Sequence, residues 1–371
     1  MRGKKPLIWV AAIVLLVGIA VALTGCGGGA TSGTGAAPAA KAIKIALLLP
    51  ETKTARYETQ DKPLFEAKVK ALAPNAEILY SNANQDAAEQ QSQADAALTN
   101  GANVLVLDPV DATSSASIVA KAAAQKIPVI SYDRLILGAP VDYYVSFDNE
   151  KVGKLQGQAL LDKLTADGNA GKTIVMINGS PTDNNATLFK AGAHSILDGK
   201  VKIGAEYDTP DWSPDKAQTE MDQAITKLGK AGFVGVLAAN DGTGGGAIAA
   251  MKGAGIDPKT RPTTGQDAEL AAIQRILLGE QYMTVYKAIK LEAEAAAELA
   301  VSLAKGEAPP SSMTLSKVNN GTKDVPSVLL APVAVTKDNI KSTVVADGFW
   351  TVQQILNTPE LQAAGKAVGL Q

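Results

Sequence analysis

Side chains able to make several directed polar contacts at once recur in short runs along this chain. Arg56-Tyr57, Tyr132-Asp133-Arg134, Asp183-Asn184-Asn185, Asp211-Trp212, Asn240-Asp241, Gln266-Asp267 and Tyr286-Lys287 combine guanidinium, carboxylate, amide and ammonium groups with aromatic faces. A planar amide, carboxylate or guanidinium can engage two neighbouring hydroxyls, so the set suits a hydroxyl-rich ligand. A ring such as Tyr57 or Trp212 can cover the apolar C–H face of a sugar, and this chain spends its 4% aromatics sparingly. Each residue also has a plainer role. Asp, Asn and Gly favour turns for backbone reasons. Asp183 and Asn184 would cap a helix beginning near Ala186 as readily as touch a ligand. Arg56 or Lys287, taken singly, would be solvated. Trp212 sits in Thr-Pro-Asp-Trp-Ser-Pro, which suits a cleft or surface better than a core.

What gathers these groups is the element pattern around them. Short apolar runs at 43–49, 76–80, 104–107, 127–131 and 143–146 predict strands, with helical segments near 61–73, 86–99 and 113–125 between the first four. The cycle repeats with apolar runs at 173–177, 201–205 and 233–237. Buried strands alternating with helices predict parallel sheets in two α/β lobes. Ligands of such sheets bind beyond the carboxyl ends of the strands, and that is the edge on which the polar runs fall.

Composition narrows the chemistry further. The chain has 371 residues, enough for two domains, with one Cys and one His. That excludes an internal disulfide and a Cys-based metal site, and makes His-triad catalysis or His-ligated zinc a poor fit. His194 lies in a helical pattern and reads as a helix-surface or packing residue. No Asp-x-Asp-x-Asp-Gly loop for calcium is present, and neither a cofactor nor a catalytic residue is expected. The run Asn240-Asp-Gly-Thr-Gly-Gly-Gly246 follows a strand and opens a helix, but it matches a dinucleotide fingerprint only loosely.

The first 42 residues speak to location. A basic start is followed by an apolar run over 7–23 and then Leu23-Thr-Gly-Cys26, with Gly, Ala, Thr, Ser and Pro up to Lys41. Residues 1–25 read as a secretory signal peptide, and the placement of Cys26 resembles a bacterial lipobox, in which the thiol is lipidated. Residues 26–42 read as the lipidated Cys and a flexible tether reaching about 20–25 Å. Losing Arg2, Lys4 and Lys5 takes the formal charge from −2 to −5, and a mildly acidic mature chain with dispersed charge gives no footprint for nucleic acid. The expected place is extracytoplasmic, tied to the cell membrane by a lipid, in the periplasm or at the cell surface.

Several motifs together resemble the D-xylose-binding proteins of ABC sugar importers. They are Tyr143-Tyr-Val-Ser-Phe-Asp-Asn-Glu-Lys-Val-Gly153, Gly179-Ser-Pro-Thr-Asp-Asn-Asn-Ala186, Gly265-Gln-Asp-Ala268 and Thr284-Val-Tyr-Lys287. Two later ones are Asp324-Val-Pro-Ser-Val-Leu-Leu330 and Asn339-Ile-Lys-Ser-Thr-Val-Val-Ala-Asp-Gly-Phe349. The likeness runs from about residue 43 to 350 and extends to multiple-sugar (glucose, galactose, arabinose) binding proteins. It implies a type I periplasmic-binding-protein fold, two Rossmann-like lobes joined by a three-segment hinge. The crossings are expected near Phe147-Asp148, Tyr286 and residues 321–325. The N-terminal lobe would then comprise 43–147 and 286–322, and the C-terminal lobe 148–285 and 323–371. The resemblance also implies sugar contacts at Arg56, Tyr57, Arg134, Asp183, Asn185, Trp212, Asn240, Asp267 and Lys287, with Asp133 and Asn184 as lesser members. The family usually carries Trp where this chain has Tyr57. Implied partners are a monosaccharide, D-xylose or a related aldose, and an ABC permease with its ATPase, the chain itself being a monomer. A sugar sensor presenting its closed form to a receptor would use the same body. Sugar-responsive transcription regulators share the body too, but begin with a helix-turn-helix where this chain has the lipobox pattern.

Overall fold

Among the described residues twelve strands alternate with eleven α-helices, and the strands sort into two bodies. The computed structural model describes residues 43–370; the signal peptide, Cys26 and the tether expected at 1–42 lie outside the described residues. The strands of the first body are β1 (Lys44–Leu49), β2 (Glu77–Asn82), β3 (Val104–Leu107), β4 (Val129–Tyr132) and β5 (Tyr143–Phe147). The second body opens with β6 (Thr173–Asn178), β7 (Lys202–Asp208), β8 (Val236–Ala238) and β9 (Met283–Tyr286). The chain then supplies β10 (Ser316–Asn319), β11 (Asp324–Leu330) and β12 (Val333–Thr336). Helices α1 (Lys62–Leu72), α2 (Ala87–Thr99), α3 (Ala116–Ala124) and α4 (Asn149–Ala166) come first, then α5 (Asn184–Leu197), α6 (Pro214–Leu228) and α7 (Asp241–Gly253). They are followed by α8 (Leu270–Leu278), α9 (Ile289–Ala304), α10 (Val352–Ile355) and α11 (Pro359–Ala367).

The first sheet runs β10-β11-β5-β4-β3-β1-β2, parallel except for the antiparallel β10–β11 pair. Its central strands are buried on both faces, as β3 shows with four buried residues in Val104–Leu107, which is why they read as unbroken apolar runs. One face packs on α1 and α9, the other on α2 and α3. In the second body β6 lies between β7 and β8, and parallel bridges Val236–Thr263 and Gln266–Val285 carry the sheet on to the β9–β12 pair. Both sheets place a later strand on the far side of their first one. The switch points, between β1 and β3 and between β6 and β8, open a crevice at the carboxyl ends.

The chain passes between the two bodies at three places. β5 ends at Phe147 and α4 opens the second body, while β9 ends at Tyr286 and α9 returns to the first. The third does not lie at 321–325. Gly321, with φ +86°, belongs to the β10–β11 hairpin turn, and β11 continues the first sheet by pairing Val328 with Val145. The chain crosses only between Leu330 and Val333, since β12 pairs with β9. Residues 323–330 therefore belong with the N-terminal body. A hairpin turn and a hinge segment carry the same Gly- and Asn-rich signal, so local sequence does not separate them.

Candidate functional site

Most wall residues of the crevice sit one to several residues beyond the end of a strand or at the start of a helix. The loop after β1 brings Thr54, Arg56 and Tyr57; the loop after β4 brings Asp133 and Arg134. From the second body come Asp183 and Asn185 at the start of α5, Trp212 after β7 and Asn240 after β8. Gln266 and Asp267 follow the bridge strand, and Lys287 follows β9. Together with Phe189 they line a half-open cavity whose empty space, solvent at its mouth included, is about 260 Å³. Backbone strain gathers here as well. Of eight non-glycine residues at positive φ among the described residues, Asp133, Asp211, Trp212, Asp267 and Ala268 stand at or beside the void, a cost that persists only where surrounding structure enforces it.

The first-body wall is an interlocked ion network. Arg56 donates from Nε to Asp61 Oδ2 (2.9 Å), from Nη2 to Glu292 Oε2 (2.6 Å) and from Nη1 to Asp133 Oδ1 (3.4 Å). The Tyr57 hydroxyl donates to Asp133 Oδ2 (2.8 Å) and accepts from Arg134 Nη2 (3.2 Å). Arg134, 1% exposed, places Nε 3.0 Å from Asp183 Oδ2 of the second body, with Asp108 at 3.5 Å and Glu51 at 3.8 Å. Lys287 lies 3.1 Å from Asp267 and 3.8 Å from Asp133.

Burial decides which groups stay charged. It opposes the Arg56 charge, but Asp133, Asp61 and Glu292 outweigh it and keep the guanidinium protonated. For Arg134 the same opposition is overcome by its neighbours Tyr57, Asp183, Asp108 and Glu51, and for Lys287 by Asp267 and Asp133. Asp133 is pushed up by burial, yet Arg56, Lys287 and Arg134 hold it well below the usual carboxylate range. Burial keeps Asp108 and Glu292, behind the wall, well above that range. Burial also pushes Asp183 up, with Arg134 opposing it. The wall sets three cationic side chains, Arg56, Arg134 and Lys287, among three carboxyl side chains, Asp133, Asp183 and Asp267, a mixture that suits a neutral polar ligand over a phosphate or carboxylate.

The second-body wall uses its helix caps twice. Asp183 accepts from the Asn185 backbone N–H (2.8 Å) and, on its other oxygen, from Trp212 Nε1 (3.1 Å); capping and site-building turn out to be one arrangement. Trp212 meets Phe189 edge-on, centroids 6.3 Å apart. It lies so close to Gly179 that a Cβ there would fall 2.0 Å from Cη2 of the indole. Asn240 forms a reciprocal capping box with Thr243 at the start of α7. The glycines after it serve packing, because a Cβ on Gly246 would lie 2.2 Å from the Pro214 carbonyl oxygen of α6. Under the Asp267 loop, Asp241 accepts from Gln281 (2.7 Å), Thr284 (2.9 Å) and the Glu269 N–H (2.9 Å). Burial lifts Asp241 to about 7, and burial with Asp241 and Asp267 nearby lifts Glu269 to about 8.

The bodies meet around the void. The Ala112 N–H donates to Thr182 O (3.0 Å), Thr182 Oγ1 to Val110 O (3.1 Å) and Asn185 Nδ2 to Asp133 O (2.9 Å). Buried polar atoms remain without a hydrogen bond at Gln266 Oε1, Asp267 Oδ1 and Arg134 Nε; the last two have ionic neighbours but lie off the hydrogen-bonding line. Of the residues singled out from the sequence, Arg56, Tyr57, Asp133, Arg134, Asp183, Asn185, Trp212, Asn240, Asp267 and Lys287 are brought together. Asn184 is not: it is half-buried and outside the wall, because successive helix residues point about 100° apart. Thr54 and Phe189 join the wall without having been singled out from the sequence, and Gln266, part of a polar run there, joins it as well. Phe189 lies four residues after Asn185 on the same helix face, a spacing that could have found it. His194 is away from the void on α5, bridging Asp198 (2.8 Å) and Glu206 (3.0 Å). Among the described residues no cluster of three or more His, Cys, Asp or Glu could hold a metal ion, and no helix is long and apolar enough to cross a membrane.

Residues 45–308 match the family model described as periplasmic binding protein domain. The chain is 41% identical over 321 residues to the D-xylose-binding periplasmic protein of Escherichia coli, covering 85% of this chain and 93% of that one. It is 34% identical over 338 residues to the multiple sugar-binding periplasmic receptor ChvE of Rhizobium radiobacter, covering 86% and 94%. Among solved structures, an ABC transporter solute binding protein from Clostridium phytofermentans with bound β-D-glucose superposes with a TM-score of 0.76 at 29% identity, covering 84% and 99%. The two-body sheet topology, the polar crevice and these likenesses agree, and the chain belongs to the periplasmic binding protein family, beside its D-xylose-binding and multiple-sugar-binding members.

Proposed function

We propose that this chain is an extracytoplasmic lipoprotein, anchored through Cys26, that captures a monosaccharide, D-xylose first among the aldoses, and delivers it to an ABC importer. The observation that carries the reading is the wall of three cationic and three carboxyl side chains that both bodies contribute to one cavity. Opening would separate Arg134 from Asp183 and Asp133 O from Asn185. A sugar touching both walls makes its full contacts only in the closed form and so favours closure. In this reading residues 43–147 and 286–330 move against residues 148–285 and 333–370 about the three crossings. The closed monomer docks on a membrane permease driven by an ATPase, and no catalytic step falls to this chain.

A multiple-aldose reading is favoured by the relative ChvE and by the glucose-bound neighbour. A sensor that offers the closed form to a receptor would use the same surface. Titration of residues 42–371 with xylose, glucose, galactose, arabinose and ribose by calorimetry separates the first two. Tight binding of xylose alone supports the pentose reading, comparable binding of several aldoses supports the broader one, and binding of none overturns both.

A further inference from the structure

Tyr57 spends its hydroxyl on the protein. Its Oη donates to Asp133 Oδ2 (2.8 Å) and accepts from Arg134 Nη2 (3.2 Å), the pattern a sugar hydroxyl makes when held between a carboxylate and a guanidinium. The residue is 3% exposed and lines the void. The other Asp133 oxygen accepts from Arg56, and the remaining Arg134 nitrogens face Asp183 and Pro109 O. With Tyr57 in place, one direction on Asp133 Oδ2 and one on Arg134 Nη2 are taken by the phenol and closed to a ligand hydroxyl.

We infer that Tyr57 Oη is a built-in surrogate for a ligand hydroxyl and sets the site for a pentopyranose over a hexopyranose; this rests on the monosaccharide reading above. A hexopyranose exceeds a pentopyranose by a hydroxymethyl group, one carbon and one hydroxyl that seeks a donor and an acceptor. Among the lining residues Gln266 Oε1 is buried without a hydrogen bond, and Asp267 Oδ1 has only the Lys287 ammonium beside it at 3.1 Å. Removing the phenolic oxygen frees an oxygen-sized space together with a carboxylate oxygen and an N–H. Buried polar groups left unpaired discriminate strongly in favour of the ligand that pairs them.

The test is calorimetry on the full-length protein in detergent with D-xylose, D-glucose and D-galactose. It compares the parent with Tyr57→Phe, and with Tyr57→Leu in case the first fails to fold. The expected result is a parent that prefers xylose and a variant whose hexose-to-pentose Kd ratio falls by about tenfold or more. Equal weakening of all three sugars makes Tyr57 a mere wall support and overturns the inference, as does a parent that prefers hexoses. A parent that binds no aldose overturns the monosaccharide reading, and this inference with it.

Discussion

Arg134 reaches from the first body into the second, so its removal should fall on the closed state. Its guanidinium is 1% exposed and lies 3.0 Å from Asp183, 3.2 Å from Tyr57 Oη and 3.5 Å from Asp108. Arg134→Ala would leave Asp183 buried at the lobe contact with no cation as near. Removing one partner of a buried ion pair costs about 3–5 kcal/mol, and part of this returns when the cleft opens and water reaches the carboxylate. The net charge on sugar affinity is then about 2–4 kcal/mol, or about 30- to 700-fold in Kd at 1.4 kcal/mol per decade. Arg134→Lys, which keeps the charge and loses the fork, should fall between parent and alanine variant. Titration calorimetry reads the affinity, and far-UV circular dichroism with a thermal melt confirms that the variant is folded. A folded Arg134→Ala protein binding its sugar within threefold of the parent would refute the bridging role.

Gly179→Ala would drive a methyl into the Trp212 indole and disturb its bond to Asp183, with a stability loss of about 1–3 kcal/mol; an unchanged melting temperature with unchanged sugar binding would count against this packing. Stability should also fall as pH rises from 5 to 8.5. Glu269, pushed to about 8 in the folded protein by burial and by Asp241 and Asp267, faces Arg275 as the opposing charge. A carboxyl whose folded value is raised binds more protons folded than unfolded, so stability drops between its ordinary range and the raised value. Glu269→Gln should flatten that slope in melts across the interval, and identical slopes in parent and variant would sink the assignment. Asp133, depressed by Arg56, Lys287 and Arg134 despite its burial, acts in the opposite sense. Its contribution is present above the ordinary carboxylate range and lost as pH falls through its own value. Asp133→Asn should therefore lessen the acid sensitivity of the melt below about pH 4.

Much of the fold was legible because parallel strands buried on both faces write themselves as continuous apolar runs. β1, β3, β4, β6 and the helices between them follow the sequence reading within a few residues. That polar runs just after such strands share an edge placed the crevice, and ten of the eleven contacts implied by the family resemblance line one cavity there. Local sequence could not decide pairing. Gly321 marks a turn whether the chain is crossing between bodies or folding a hairpin, and only the hydrogen bonds of β11 to β5 settle which. It also could not decide facing, which removed Asn184 from the wall and brought in Phe189. The sequence by itself determined which groups were available and the edge on which they would gather, since strand period and chain order are local properties. The tertiary structure alone decided which of them pair: Tyr57 meets Asp133, 76 residues on, only once β1 and β4 lie in one sheet, and Arg134 meets Asp183, 49 residues on, only once the two bodies face each other.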